Sequence, residues 1–352
     1  MADLVFSRFG RRSLLGAAAL AVLGGCTAPA RAPLRTPTAP VGLAAALRDA
    51  LAARDQAAFT ACFTAGARTL GTAWFVTWTR LAEVDLTDAD GAFAVTWRVG
   101  AEPESSRAEL TLTLAGGLVD AVAAATPAPV WLRHACAVAT NGPLGVLAAT
   151  GEADPWLDAA GTAAARVGDA GASRWGWQGD LVVEVAADAL EFRHRAAGAD
   201  VGAAAAYTTR DPQPVVVVDG TAAQAWTAED RAGLLTHEGV HAAQGTLRDR
   251  LPRWLGEGVA EWVTRPLWPA GAAADAAALA GLPAEVGLPA DAEFTDPAAA
   301  AGAYARAELA VAGLVAAYGR DRVWDWLPAW AASGIDEHEA TALLHAERAR
   351  RG

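Results

Sequence analysis

The sequence predicts a mixed α+β protein built from two units, and three observations support that class. Residues 92–99 and 107–114 alternate apolar and polar side chains, as half-buried strands do. Residues 227–245 and 296–319 place apolar side chains at helical spacing between a capping residue and a terminating glycine. A chain of 352 residues is long enough to form two modest domains, each with its own core.

Residues 1–26 are expected to be a targeting segment that is not part of the fold. Three arginines within the first 12 residues precede an apolar run, residues 14–23, that is too short to span a membrane. The segment ends in Leu-Gly-Gly-Cys, which resembles a bacterial lipobox. That resemblance implies a lipid on Cys26, which would hold an exported protein on the outer face of the cell membrane. An ordinary signal peptide that happens to precede a cysteine is the alternative.

A proline-rich tether is expected at residues 27–40, and residues 41–150 are expected to form an N-terminal α+β module. The predicted elements of the module are a helical stretch at 42–63 and strands at 74–79, 92–99, 107–114, 129–140 and 144–150. Helices followed by a curved antiparallel sheet resemble the nuclear-transport-factor-2-like (NTF2-like, cystatin-like) modules. His134 is interpreted as a strand residue without a catalytic role.

Residues 151–352 are expected to form a second unit around one long helix. The helix begins after the capping residue Thr227 and ends near Gly245. The predicted strands are 181–187, 201–209 and 214–218, and the predicted helices are 154–167, a short helix capped by Asp188, 252–265, 296–318, 320–332 and 336–350. Strands therefore precede the long helix, and helices follow it.

The long helix carries residues 237–241, which read HEGVH and fit the zinc-peptidase pattern H-E-x-x-H. On a helix, His237 and His241 project from the same face one turn apart, so both imidazoles can bind one Zn²⁺ ion. Glu238 lies between them and is placed to act on water rather than on the metal. Two surface histidines on an amphipathic helix are the alternative interpretation.

A third ligand is expected from residues 254–262, which read WLGEGVAEW. Together with HEGVH, this motif resembles the gluzincin zinc metallopeptidases, and most of all the peptidase MA-like family. In that family the third ligand is the glutamate of a Gly-Glu-Gly-type motif, which implies Glu257 here. Fifteen residues separate His241 from Glu257, fewer than is usual for gluzincins, so Glu261 is a rival ligand. In the preferred assignment, Glu261 orients a zinc-bound imidazole instead.

The resemblance also implies a zincin-like fold, with a small mixed sheet and a helical C-terminal lobe, and it implies peptidase activity. Water activated by zinc would attack the peptide bond with Glu238 as general base. A peptide or protein substrate would pair with an edge strand, for which residues 203–209 are the candidate. Tyr304 is the candidate donor to the oxyanion, or else a core aromatic. The alternative function is a surface binding lipoprotein with an inactive peptidase-like domain.

Composition narrows the partners and leaves one question about the cysteines open. The formal net charge is −12 and no basic stripe is present, so a nucleic-acid partner is not expected. Besides Cys26, the chain contains Cys62 and Cys136. In an oxidising compartment these two could form a disulfide, and two buried free thiols are the alternative.

Overall fold

The computed structural model has a mixed α+β architecture with two small sheets, as the sequence predicts. The structure describes residues 42–89, 92–100, 105–126, 128–196, 206–209, 214–283 and 285–351. The predicted signal peptide at 1–26, the lipid site Cys26 and the tether at 27–40 lie outside the described residues. Residues 203–205 of the predicted edge strand also lie outside them.

The N-terminal part consists of three helices and an antiparallel sheet of four strands. The helices are α1 (Leu43–Ala52), α2 (Gln56–Ala61) and α3 (Arg68–Trp78), and the strands are β1 (Glu83–Ala89), β2 (Ala92–Arg98), β3 (Ser106–Ala115) and β4 (Leu118–Thr126). The strands lie in the order β1-β2-β3-β4. The strands predicted at 92–99 and 107–114 are confirmed as β2 and β3.

The strand predicted at 74–79 is wrong, because these residues belong mainly to helix α3. Aromatic and β-branched side chains favour strands by propensity, but packing decides here. Trp74 and Trp78 are four residues apart and stack with ring centroids 5.0 Å apart, as side chains on one helical face do. The indole of Trp74 also donates a hydrogen bond to the carbonyl oxygen of Leu132 at 3.0 Å.

The second sheet is mixed and has five strands. They are β5 (Ala137–Asn141), β6 (Leu144–Ala148), β7 (Leu181–Ala186), β8 (Ala206–Thr209) and β9 (Val215–Asp219), in the order β5-β6-β7-β9-β8. The pairs β6–β7 and β7–β9 are parallel, and the outer pairs are antiparallel. Strand β8 therefore lies at an edge, as predicted for this segment.

Hairpin β5–β6 belongs to this second sheet, although the sequence assigned strands in this region to the N-terminal module. The second sheet therefore takes strands from both sides of residue 150, where the sequence suggests a boundary. His134 precedes β5 and lies outside any strand, so its interpretation as a strand residue is wrong. Its Nε2 lies 3.7 Å from Oε1 of Glu191.

Eight further helices surround the second sheet or follow it among the described residues. They are α4 (Asp154–Asp169), α5 (Ala189–Arg195), α6 (Ala228–Gln244), α7 (Arg253–Thr264), α8 (Pro269–Ala280), α9 (Ala300–Tyr318), α10 (Arg320–Ser333) and α11 (Glu337–Arg351). Asp188 caps α5 as predicted, since its Oδ1 accepts hydrogen bonds from the backbone of Leu190 and Glu191. Helix α8 has no counterpart among the predicted elements.

The second sheet is buried on both faces. Along β9, Val215 and Val217 pack into the core of the N-terminal part, whereas Val216 and Val218 pack into a core shared with α4 and α6. This alternation follows from the period of two that side chains have along a strand. Helix α6 continues from this second core into a third one, built with α7, α9, α10 and α11. The predicted metal-binding helix thus lies between the sheet and the helical lobe.

Helix α9 is, within the part of the chain that the structure describes, the one helix long and apolar enough to cross a membrane. Of the most apolar 18-residue stretch of helix α9, 72% is buried inside the protein. It packs against α7, α8, α10 and α11. Its apolar composition is therefore accounted for by the core of the helical lobe.

Cys62 and Cys136 are free thiols in the structure, but only Cys136 is buried and Cys62 is partly exposed, so the alternative of two buried free thiols holds for Cys136 alone. Cys136 is buried, and burial, with the nearby carboxylates of Glu184 and Glu191, raises the pKa of its thiol. A buried thiol that stays protonated behaves as a small apolar side chain. Cys136 is accordingly part of the N-terminal core and not a candidate metal ligand.

Candidate metal centre

Helix α6 begins with a capping box that fixes where the helix starts. The hydroxyl of Thr227 accepts a hydrogen bond from the backbone N–H of Asp230, whose Oδ2 accepts one from the backbone of Thr227. The indole of Trp268 also donates to Oδ1 of Asp230 at 3.2 Å. With its start fixed, the helix turns His237 and His241 toward α7, and both imidazoles are buried.

Helix α7 brings Glu257 to the two histidines, and on another side of α7 Gly258 allows a close approach to helix α9. A Cβ atom at Gly258 would collide with the carbonyl oxygen of Ala307 in α9, so a larger residue would push the two helices apart. The preceding glycine, Gly256, presents its carbonyl oxygen 3.5 Å from Nε2 of Gln244 at the end of α6. The second glycine of the Gly-Glu-Gly pattern, Gly258, therefore has a packing cause as well as a place in the motif.

The three predicted ligand atoms converge on one point. Nε2 of His237 and Nε2 of His241 lie 3.1 Å apart, and Oε2 of Glu257 lies 3.3 Å from each. An ion bound tetrahedrally with bonds of about 2.0–2.2 Å separates its ligand atoms by about 3.3–3.6 Å. The observed triangle is close to that size, so these residues fit a metal ion.

Outer partners orient both imidazoles. Oε1 of Glu261 lies 3.4 Å from Nδ1 of His237, and Oε1 of Gln244 lies 3.3 Å from Nδ1 of His241. Accepting the Nδ1 proton in each case leaves the Nε2 lone pair directed at the common point. Of the two rival glutamates, Glu257 thus faces the common point and Glu261 faces the back of a histidine. Gln244 was not predicted, although its position three residues after His241 on the same helix face is a usable signal.

The electrostatics of the cluster favour a cation. Burial alone would lower the pKa of His237, but hydrogen bonds with Glu257 and Glu261 raise it to about 10. Burial opposes ionisation of Glu257, yet the charges of His241 and His237 hold its pKa well below the usual range. A proton on His237 balances this negative charge in the metal-free cluster, and a divalent ion would displace that proton on binding.

Glu238 is fully buried beside the common point and does not belong to the triangle of ligand atoms. Its Oε2 accepts a hydrogen bond from the hydroxyl of Thr208 at 2.5 Å. Its Oε1 has no hydrogen-bond partner among the residues that the structure describes. Burial raises the pKa of Glu238, although the nearby His241 and His237 oppose the shift. A carboxylate with a raised pKa and an unused oxygen is suited to accept a proton from water.

Thr208 lies on β8, so the edge strand that the sequence predicts borders the site. The contact joins the sheet to helix α6 through the side chain of Glu238 itself. No sequence signal points to a role for Thr208, because its pairing with Glu238 spans 30 positions along the chain. Only the fold brings the two together.

Two further side chains adjoin the ligand Glu257. Tyr304 of α9 is buried with its ring 6.2 Å from that of His237, and burial raises the pKa of its phenol well above the ordinary value, so the O–H is retained. Arg248 is buried with Nη2 3.8 Å from Oε1 of Glu257. Burial lowers the pKa of Arg248 to about 10, which leaves it cationic at neutral pH. Tyr304 is a residue that the sequence predicts for the site, whereas Arg248 is not.

Comparisons with family models, with curated proteins and with solved structures give no match for this chain. Function has to be inferred from the site itself. That site is a buried group of two imidazoles and one carboxylate able to hold a metal ion, with a second carboxylate next to it.

Proposed function

We propose that the protein is a zinc-dependent metallopeptidase of the gluzincin type, with a zincin-like catalytic fold. The observation that carries the proposal is the convergence of Nε2 of His237, Nε2 of His241 and Oε2 of Glu257 within 3.1–3.3 Å of one another beside the buried Glu238. Two imidazoles and one carboxylate form a ligand set that catalytic zinc sites use, with one position left for water or substrate.

The residues around the triangle have complementary roles in hydrolysis. Zinc held there would polarise a carbonyl group and lower the pKa of a water molecule. Glu238 takes the proton of the attacking water on Oε1, while Thr208 holds Oε2, and then passes the proton to the leaving amine. The neutral phenol of Tyr304 donates a hydrogen bond to the oxygen that becomes negative. In balance, water is added across a C–N amide bond.

The substrate in this proposal is an extended peptide that lies along β8. Among the described residues this strand pairs with β9 alone and ends the sheet, so its other edge is the one that would accept an added strand. Thr208 then connects the substrate-binding strand to the general base. We also propose an NTF2-like fold for the N-terminal module, which the three helices and the irregular β3–β4 pairing support.

Burial is the observation that favours the alternative, a surface binding lipoprotein with an inactive peptidase-like domain. The side chains of Glu238 and His241 have no exposed surface, and His237 and Glu257 have only a few per cent. A site so enclosed would suit a metal with a purely structural role. Glu238 argues for the enzyme, because a structural site gains nothing from a buried carboxylate with an unused oxygen.

Replacing Glu238 with Gln separates the two functions. The purified protein is expected to bind about one zinc ion per chain and to cleave members of a broad peptide library. Glu238→Gln should keep the zinc and lose at least about 100-fold in hydrolysis, the usual share of a general base. Glu229→Gln, an exposed position on the same helix, is the matched control and should behave as the wild type. A zinc-loaded wild type that cleaves nothing would favour the binding lipoprotein.

The cellular location is a separate part of the proposal and depends on the sequence alone. Residues 1–26 would direct export, and a lipid on Cys26 would anchor the enzyme to the outer face of the cell membrane. Cys26→Ser should release the protein from the membrane fraction or leave it as an uncleaved precursor. Unchanged processing together with unchanged membrane association would contradict the lipid anchor.

A further inference from the structure

A cavity of about 530 Å³ adjoins the metal centre and shares Glu257 with it. Its walls include Arg248, Pro252, Arg253, Trp254, Gly256 and Glu257. Oε2 of Glu257 faces the two histidines, whereas Oε1 faces Arg248. The cavity therefore begins where the ligand triangle ends. We call it the arginine pocket.

Two cationic side chains, those of Arg248 and Arg253, line the arginine pocket together with the carboxylate of Glu257. Arg248 is only 8% exposed, and Arg253 is half-buried. Arg253 is held in place because its Nη1 donates to the carbonyl oxygen of Asp291 at 3.4 Å and its guanidinium lies 5.0 Å over the ring of Phe294. Besides Glu257, three acidic side chains line the pocket, on Asp249, Asp291 and Glu337, and all three are exposed.

The first turn of α7 adds to the positive character of the pocket. Pro252 stands at the N-cap, and a proline side chain has no oxygen with which to cap the helix. The N-terminus of a helix carries a partial positive charge and presents backbone N–H groups to an anion. A group that passes the acidic rim thus meets two guanidinium groups and a helix N-terminus, which together suit a carboxylate.

The distance from the metal centre limits which carboxylate can bind. Nη2 of Arg248 lies 3.8 Å from Oε1 of Glu257, whose other oxygen belongs to the ligand triangle. An extended peptide advances by about 3.3–3.6 Å per residue. A carboxylate in the arginine pocket is therefore one or two residues beyond a carbonyl group held at the metal centre.

We propose that the arginine pocket binds the C-terminal carboxylate of the substrate, so that the enzyme removes one or two residues from the C-terminus of a peptide. The proposal rests on the proposed peptidase function and adds a substrate class to it. Hydrolysis breaks the C–N bond, places the oxygen of water on the carbonyl carbon and leaves the proton on the released amine. The carboxylate of that released product occupies the pocket. An Asp or Glu side chain at the same distance has the same chemistry and must be distinguished by experiment.

Matched peptides test the proposal on the zinc-loaded protein. A library of N-acetylated peptides without Asp or Glu is prepared in two forms, with a free C-terminal carboxylate and with an amide. We expect kcat/KM to be at least tenfold higher for the free form, with one or two residues released. Arg253→Gln should remove most of the preference for the free carboxylate. Arg250 is exposed and lies outside the pocket, so Arg250→Gln should retain the preference. Equal cleavage of both forms by the wild type would overturn the pocket.

Binding gives a readout that does not require cleavage. Calorimetric titration of zinc-loaded Glu238→Gln should show at least tenfold tighter binding of the free form than of the amide, and Arg253→Gln introduced into this variant should equalise the two. Equal binding before that second substitution would overturn the proposal.

The cleavage and binding experiments also distinguish the C-terminal carboxylate proposal from the peptidase proposal. If the protein binds the free form preferentially but cleaves nothing, the peptidase proposal is wrong, whereas carboxylate binding in the arginine pocket is supported. Efficient cleavage of amidated peptides that lack Asp and Glu would contradict carboxylate binding in the arginine pocket but would support the peptidase proposal. If amidated peptides become good substrates only with a Glu placed one or two residues after the bond, the pocket binds a side-chain carboxylate and the C-terminal assignment is wrong.

Discussion

Two of the buried charged clusters among the described residues are built in different ways. One joins Glu184 of β7 to Arg195 of α5, with Nε of the arginine 2.5 Å from Oε2 and Nη2 3.4 Å from Oε1. The other is the metal centre, in which His237, His241 and Glu257 direct nitrogen and oxygen atoms at one point. Both clusters are almost completely buried.

The comparison teaches that burial of charge does not by itself mark a functional site. In the Glu184–Arg195 pair, Nε and Nη2 of the arginine each donate to one carboxylate oxygen, so the opposite charges neutralise each other. In the metal centre, two imidazole nitrogens and a carboxylate oxygen face each other at 3.1–3.3 Å, and the cluster needs a proton or an added cation between them. The direction of the polar atoms distinguishes an ion pair from a binding site.

The largest expected effect comes from removing an imidazole. His237→Ala or His241→Ala takes one of three ligands, which we expect to lower zinc affinity by roughly 1000-fold. Zinc competition with a fluorescent chelator measures this. His194→Ala, an exposed histidine on α5, is the control and should leave affinity unchanged. Full zinc occupancy in both alanine variants would mean that the imidazoles of His237 and His241 are not zinc ligands.

The ion pair should respond in stability instead. Glu184→Leu leaves a buried guanidinium without its partner, so the free energy of unfolding should fall by about 3–5 kcal/mol. The double substitution Glu184→Leu with Arg195→Met should recover most of the loss, because similar volumes then pack without charge. Urea unfolding gives the free energies. Loss of zinc from the folded double variant would contradict a purely structural role for the pair.

A smaller effect should sharpen the roles within the metal centre. Glu261→Gln and Gln244→Ala alter only the groups behind the imidazoles, so each should lower zinc affinity by about 10–100-fold. Glu257→Gln removes a ligand and should cost more. If Glu261→Gln loses the metal and Glu257→Gln keeps it, the two glutamates have been assigned the wrong way round.

The pH dependence of stability should have opposite sign with and without metal. The pKa of His237 in the metal-free fold is raised to about 10, above its ordinary value of 6.5. The stabilisation of the metal-free fold by protonated His237 is complete below pH 6.5 and is lost as the pH rises through about 10. Zinc binding instead releases the proton, so stabilisation by zinc should grow with pH. Thermal unfolding in chelator and in zinc tests this, and His237→Ala should remove the slope seen in chelator.

Sequence reasoning succeeded where a local signal determines the structure. The capping box of Thr227 and Asp230 involves residues three apart, and it fixes the helix that carries HEGVH. The one-turn spacing of His237 and His241 follows from helix geometry alone. Glu257 required the resemblance to known motifs, and the structure brings it to the two histidines.

The sequence was less informative where distant residues decide the outcome. Trp74 and Trp78 are in a segment whose composition favours a strand, but the helix lets both indoles enter one aromatic cluster with Trp131. Thr208 and Arg248 approach the metal centre only through the fold, and neither belongs to a motif. Non-local contacts of this kind have no period or spacing that a single sequence displays.

Hairpin β5–β6 has a consequence for any attempt to isolate the metal centre. Strand β6 covers one edge of β7 along its length, with Leu144 opposite Leu181 and Ala148 opposite Val185. A fragment that starts at residue 151 would lose this cover and leave the backbone N–H and C=O groups of β7 unpaired on an apolar strand. Such an edge is a template for pairing with other chains, so the fragment should aggregate. A fragment intended to remain monomeric has to begin before Ala137, and the hairpin must be carried with the site.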